Sequence, residues 1–290
     1  MKFYLIKYKV KIVKTEYWRP NHNYINSIIN SIRKFVKDGD IIVISEKALC
    51  AAEGRIIDES KIKPRLLAKV IARFWMRYVW GYILSKLCHQ KPLTIQRLRN
   101  YPKEAEAHKQ LALGYSGLLQ ALRHGSEGGI DVSNLPYSYA CLPLPNPNQK
   151  AEELRKIISE SLNKKITIMI VDTDMTYSWR NLHFTPRPNA IKGILSGWGV
   201  ITYVVCRALK MRARATPLAI AGERLSVEEA LNIAELAHHA RKSGAGKTVW
   251  DMAESFQVGL TDVTWEMLES VKHYPIVIVR RKSKLGNGAK

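Results

Sequence analysis

Three aspartates carry the spacing from which metal or phosphate chemistry could be built. Asp131 follows Gly128-Gly129-Ile130 and precedes Val132-Ser133-Asn134. That composition predicts a loop whose glycines let the backbone come close to a ligand. Asp172 follows the apolar run 166–171, which predicts a buried strand with Asp172 at its carboxyl end, where open α/β sheets gather ligands. Asp174, two residues on, points the same way on extended backbone. Hard oxygen donors of this kind suit Mg2+ or Mn2+. The plainer alternative is that the aspartates cap turns or pair with arginines. Glu46-Lys47 leave a second apolar run, 41–44. A lysine there is either a point charge for a phosphate or an ordinary surface cation.

Other groups offer less. Gly244-Ala245-Gly246-Lys247-Thr248 looks like the end of a phosphate-binding loop, but Arg241 stands where the full pattern requires glycine, and a helical pattern rather than a strand precedes it. Thr248 reads instead as a helix N-cap partnered by Asp251, a terminus on which a phosphate could still rest. His238 and His239 are adjacent, so their rings cannot readily hold one metal from the same face, and they read as structural or solvent-facing. Cys50, Cys88, Cys141 and Cys206 show no zinc or dithiol spacing. They read as reduced core residues of a cytoplasmic protein.

The elements that must position these groups follow from periodicity. Alternation predicts a first strand over 3–13, and the β-branched run 41–44 a strand covered on both faces. A helix is expected over 23–36, a long one over 66–88, polar helical structure over 91–123, and another helix over 150–161. A short strand is expected at 140–144, a turn at 146–148, and an irregular or hairpin region at 183–200. Ser226 caps a helix to His239, with Glu229 placed for a capping box, and 276–279 forms a closing strand. Residues 283–290 read as a frayed basic tail. Nothing reads as a signal peptide or a membrane span. The class is α+β, a mixed sheet flanked by helices, as one unit over 1–290 or two interlocked lobes.

The chain is 46% hydrophobic and 24% charged, which excludes a disordered protein. Its net charge is +21, and residues 1–100 alone carry 21 basic against 7 acidic side chains, a net of +14. Such asymmetry suits a polyanionic small molecule, a nucleic-acid surface, or simply a lysine-rich solvated face. Arg65, Lys69, Arg73 and Arg77 recur every four residues along the long helix, as the wet side of a packed helix or an RNA- or membrane-facing stripe.

Taken together, the segments resemble the coenzyme F420-0:L-glutamate ligase (γ-glutamyl ligase) family. Ile42 to Arg55, IVISEKALCAAEGR, is similar to the family's strand, lysine and AEGR segment. Gly129-Ile130-Asp131-Val132-Ser133-Asn134 resembles its GIDxSN motif, followed by the similar LPLPNPNQKAEELR. Asp172-Thr173 with Trp179-Arg180 resembles its DT…WR motif, and residues 275–280 its closing strand. The resemblance implies a homodimeric, GTP-dependent enzyme that adds an amino acid such as L-glutamate to a phosphate-bearing carboxylate through an acyl phosphate. It implies that Asp131 and Asp172, with Thr173 beside them, hold Mg2+ or Mn2+, a set to which the spacing adds Asp174, that Glu46, Lys47 and Asn134 contact the nucleotide, and that Asp131, Asp172 and Lys47 act in catalysis. The sequence departs from the family at Ala51, where a second lysine is expected, near Tyr17-Trp18-Arg19, at Met175-Thr176-Tyr177, at Thr185-Pro186-Arg187-Pro188, and throughout 66–125. Those departures leave room for a changed substrate, for a nucleic-acid-binding protein, or for a non-catalytic scaffold on the same fold.

Overall fold

A computed structural model describes residues 8–241 and 244–282. Its centre is a seven-stranded mixed sheet: β1 (Tyr8–Thr15), β9 (His273–Arg281), β2 (Ile41–Ser45), β5 (Thr167–Trp179), β6 (Leu182–Thr185) and β7 (Leu195–Ser196) lie side by side, with β8 (Arg212–Ala221) pairing along β5. β2 runs parallel to β5 and antiparallel to β9. Ile41 to Ile44 are fully buried, because consecutive side chains of β2 enter opposite cores. Ile42 and Ile44 pack with Ile28 and Ile32 of α1 (Tyr24–Ile32), Leu49 of α2 (Glu46–Ala52) and Leu154 of α8 (Pro147–Leu162). Ile41 and Val43 pack with Ala230, Ile233 and Ala237 of α10 (Val227–Ala240). The predicted class, a mixed sheet with flanking helices, is the observed one.

Residues 66–121 form a helical lobe with its own core. α3 (Leu66–Val70) continues through the π-wound Ile71–Leu84 into α4 (Ser85–Leu87). α5 (Pro92–Arg99), α6 (Ala105–Tyr115) and α7 (Leu118–Ala121) follow. Met76, Trp80, Leu98 and Ala112 pack there with Ile130, Ala140 and Val200. Ala140 belongs to β4 (Tyr139–Cys141), which pairs with β3 (Ile56–Asp58), and Val200 to α9 (Val200–Ala208). The lobe is thereby fastened to the GIDxSN-like segment itself. The four-residue basic stripe lies on the wet side of the helix, with Arg65, Lys69 and Arg73 exposed and Arg77 half-buried; Arg73 donates to Glu106 and Arg77 to the Tyr101 carbonyl. No described helix is long and apolar enough to cross a membrane.

Several expectations are corrected. β5 does not stop at Val171 but runs on to Trp179, because β8 keeps pairing with it beyond a register shift between Asp172 and Met175. Asp172 and its neighbours therefore sit on a bulge inside a strand, a device that re-aims side chains without ending the ladder. Pro147 starts α8 after the N-cap Asn146 rather than making a turn. Ser226 accepts from the Glu229 amide as expected, but the Glu229 carboxylate binds Tyr8 and Arg281 instead of closing the box. The irregular region at 183–200 contains β6 and β7. Part of the first predicted strand and the tail 283–290 lie outside the described residues.

Candidate functional site

β2 hands the chain directly to α2, and the first two residues of that helix, Glu46 and Lys47, reach opposite ways. Lys47 Nζ lies 3.0 Å from Asp131 Oδ2 and donates to Ser133 Oγ at 2.6 Å. Asp131 Oδ1 accepts from the Ser133 amide at 2.7 Å and its hydroxyl at 2.8 Å, an Asx turn that fixes the carboxylate. The backbone of Asp131 pairs with Cys141 at the edge of the small sheet. This pair is partly open: both side chains are 23% exposed.

Glu46 points into the protein. Its Oε1 accepts from the Leu144 amide at 3.0 Å and from Arg187 Nη2 at 2.8 Å. The other arm of the Arg187 guanidinium, Nη1, binds Asp172 Oδ2. Asp172 Oδ1 accepts from the Thr173 amide at 2.7 Å. Asp174 accepts from Ser126 Oγ at 2.7 Å and lies 3.6 Å from Arg123. Burial pushes the Glu46 carboxyl up to about 7, opposed by Arg187 and reinforced by Asp172. It pushes Asp174 up to about 6, opposed by Arg123 and again reinforced by Asp172. Crowded carboxylates in a low-dielectric setting resist carrying all their charges at once.

Asn134 is used structurally. Its side chain accepts from the Ala245 amide and donates to the Gly246 carbonyl, both at 2.8 Å. This clamp holds the Gly244–Thr248 segment against the site. Gly244 has φ +63, and a Cβ there would stand 2.5 Å from Asn134 Oδ1, so the clamp requires glycine. Thr248 and Asp251 form the expected capping box at the start of α11 (Val249–Phe256). The segment set aside as an incomplete phosphate loop thus lies beside the other motifs.

These pieces meet at a cavity of about 580 Å³. Asp131, Thr173 and Asp174 form part of its wall, Lys247 and Trp250 another, and the helical lobe contributes Arg97, His108 and Arg123. Arg207 of α9 and Lys247 face it with no ion pair to a described carboxylate. That leaves positive charge for an anionic guest.

Below the lobe's wall, both ring nitrogens of His108 meet carboxylates, Glu59 at 2.6 Å and Glu127 at 2.9 Å, and Lys109 Nζ lies 2.5 Å from Glu127. Burial disfavours the imidazolium, but Glu59 and Glu127 outweigh it and hold the His108 pKa up at about 10. The unfolded value is near 6.5, so this stabilisation is complete below about pH 6.5 and is lost as pH rises through about 10. The stability gap between wild type and His108→Gln, read by urea unfolding, should therefore narrow steadily from pH 6 to pH 10. A gap independent of pH would refute the charged bridge.

Of the residues singled out in the sequence, Glu46, Lys47, Asp131 and Asp172 are drawn together through the Glu46-Lys47 pair, and Asp174 lies on the same bulge. Asn134 is occupied by the Gly244–Thr248 segment. Thr173 is exposed on the cavity wall. Among the described residues no three His, Cys, Asp or Glu side chains are grouped to hold a metal ion. A divalent ion fits poorly between Glu46 and Asp172, whose inward oxygens already accept from Arg187; Asp131, facing the cavity, is the better donor. Arg187 and Arg123, which pair with these carboxylates, carry no motif. The only trace in the sequence is an arginine between two prolines.

A family model described as F420-0:Gamma-glutamyl ligase matches residues 12–235. An uncharacterized protein of Methanocaldococcus jannaschii is 40% identical over 286 residues, 94% of this chain and 96% of its own length. Coenzyme F420:L-glutamate ligases of the same organism and of Methanothermobacter thermautotrophicus are each 29% identical, over 48% and 51% of this chain and 49% and 53% of their own lengths. The likeness to the named ligases thus spans about half of each enzyme.

Proposed function

Because the chain belongs to the F420-0:gamma-glutamyl ligase family, we propose that it is an amide-bond-forming ligase that consumes a nucleoside triphosphate, GTP by the family resemblance. The observation that supports this best is the position of Lys47 and Asp131, partly open, beside a cavity edged by Arg123, Arg207 and Lys247. An amine does not displace water from a free carboxylate near neutrality, so the acid must first be activated. In the proposed sequence a carboxylate oxygen of one substrate attacks the γ-phosphorus, and GDP leaves. The amine of an amino acid such as L-glutamate then attacks the acyl carbon, and phosphate leaves.

The chain's own residues would orient the reactants and neutralise charge, which is most of the work in phosphoryl transfer. Lys47 would exchange its contact with Asp131 for a phosphate oxygen, since a lysine ammonium on a flexible stem can swing between the two. Mg2+ or Mn2+ carried in on the nucleotide phosphates would be held by Asp131 from the cavity side and would add to the charge neutralisation. Arg207 and Lys247 would take an anionic group of the acid substrate. The assay is release of GDP and phosphate with a panel of phosphate-bearing carboxylic acids and amino acids. Release that requires both partners, with the amide found by mass spectrometry, supports the reading. Folded protein that releases nothing with any acid–amine pair and either GTP or ATP counts against it.

A further inference from the structure

Arg187 has no place in the chemistry above, yet its charged group is among the most enclosed in the molecule. The residue is 1% exposed. One arm of the guanidinium holds Asp172 and the other Glu46, so a single planar cation bridges a carboxylate of β5 and one on the first residue of α2, just past the parallel neighbour β2. The GIDxSN-like segment is shaped to it: a Cβ on Gly129, at φ +98, would stand 2.7 Å from Nη2 and 2.9 Å from Nη1. The backbone around the arginine is pinned from the helical lobe, where buried Gln120 donates to the Pro186 carbonyl at 2.6 Å. The other Asp172 oxygen is engaged by the Thr173 amide, and the Glu46 oxygen that meets Arg187 also accepts from the Leu144 amide. A divalent ion needs such oxygens at roughly 2.0–2.6 Å with lone pairs free. A guanidinium donating to them at hydrogen-bond distance fills that volume and uses those lone pairs.

We propose that Arg187 is a resident cation, standing between Glu46 and Asp172 where a divalent ion would otherwise sit, and that this pole of the site is closed to metal. The fixed charge gathers the two carboxylates and holds the bulge of β5 against α2 without any exchangeable ion. Arg187 is a positioning residue, enclosed away from the cavity. A metal entering the site is left to the Asp131 side, carried by phosphate. The proposal concerns the cation between two carboxylates and stands whether or not the chain is a ligase.

The test uses Mn2+ alone, with no nucleotide or acid substrate, so its outcome is separate from that of the ligase assay. Free Mn2+ is followed by its electron paramagnetic resonance signal as it is titrated into the metal-stripped full chain. Wild type and Asp172→Asn are expected to bind Mn2+ alike, within a factor of two, because Asp172 is not available to it. Arg187→Ala is expected to gain one Mn2+ site, with a thermal midpoint raised by the ion, and Arg187→Ala with Asp172→Asn is expected to lose that gain. A wild-type Mn2+ site weakened tenfold or more by Asp172→Asn overturns the proposal, as does a folded Arg187→Ala that gains none. If Arg187→Ala does not fold, the wild-type and Asp172→Asn pair decides the question alone.

Discussion

Replacing Lys47 by alanine is expected to lower nucleotide-dependent turnover by about 10²-fold or more, the range found when one preorganised charge is taken from a phosphoryl or oxyanion site. Stability should change by less than about 1 kcal/mol, because a partly exposed ion pair contributes little to folding. Lys47 and Asp131 are both 23% exposed, and Asp131 keeps its two bonds from Ser133 when the lysine is gone. Steady-state kinetics beside a urea unfolding curve would separate the two effects. A variant with full activity would remove Lys47 from the chemistry, and one that loses both activity and fold would show it to be structural.

The second large effect falls on folding. Glu127→Gln is expected to destabilise the protein by about 3–5 kcal/mol, the usual cost of leaving a buried cation without its partner. Glu127 is 1% exposed and faces two cations at once, His108 at 2.9 Å and Lys109 at 2.5 Å. Lys109 is itself fully buried, and its other hydrogen bond goes to a neutral carbonyl, that of Arg123. The loss should appear as a fall in the urea midpoint with little change in slope. Removing the pair together, as Glu127→Gln with Lys109→Met, should recover part of it. A single substitution that costs less than about 1 kcal/mol would mean that water reaches the trio.

Much of the site was legible because its residues sit next to strong local signals. The unbroken apolar run at 41–44 and the largely apolar stretch 166–171 marked two neighbouring strands, and Glu46, Lys47 and Asp172 followed from where those stretches stop. The glycines before Asp131 marked its loop. What could not be read depends on contacts far apart in the chain. Apolar patterning ends at Asp172, so the strand seemed to end there; only pairing with β8, some forty residues later, carries it through the bulge to Trp179. Arg187 lies 141 positions from Glu46 and 15 from Asp172, and an arginine between prolines reads as a surface loop until β6 brings it beneath Gly129. Residues 66–125 resemble no motif because they supply a wall and a buried charge trio, which leave no fixed spacing. The Gly244–Thr248 segment fails the pattern for a phosphate loop and is nonetheless held at the site, by Asn134.

The central claim is that the Lys47–Asp131 side of this site receives a nucleoside triphosphate. Calorimetric titration of the full chain with GTP in the presence of Mg2+, wild type beside Lys47→Ala, tests it directly. The account predicts saturable, one-to-one binding by wild type and at least tenfold weaker binding by the variant, a difference of about 1.4 kcal/mol. Folded wild type that takes up neither GTP nor ATP, or a variant that binds as tightly as wild type, would contradict it.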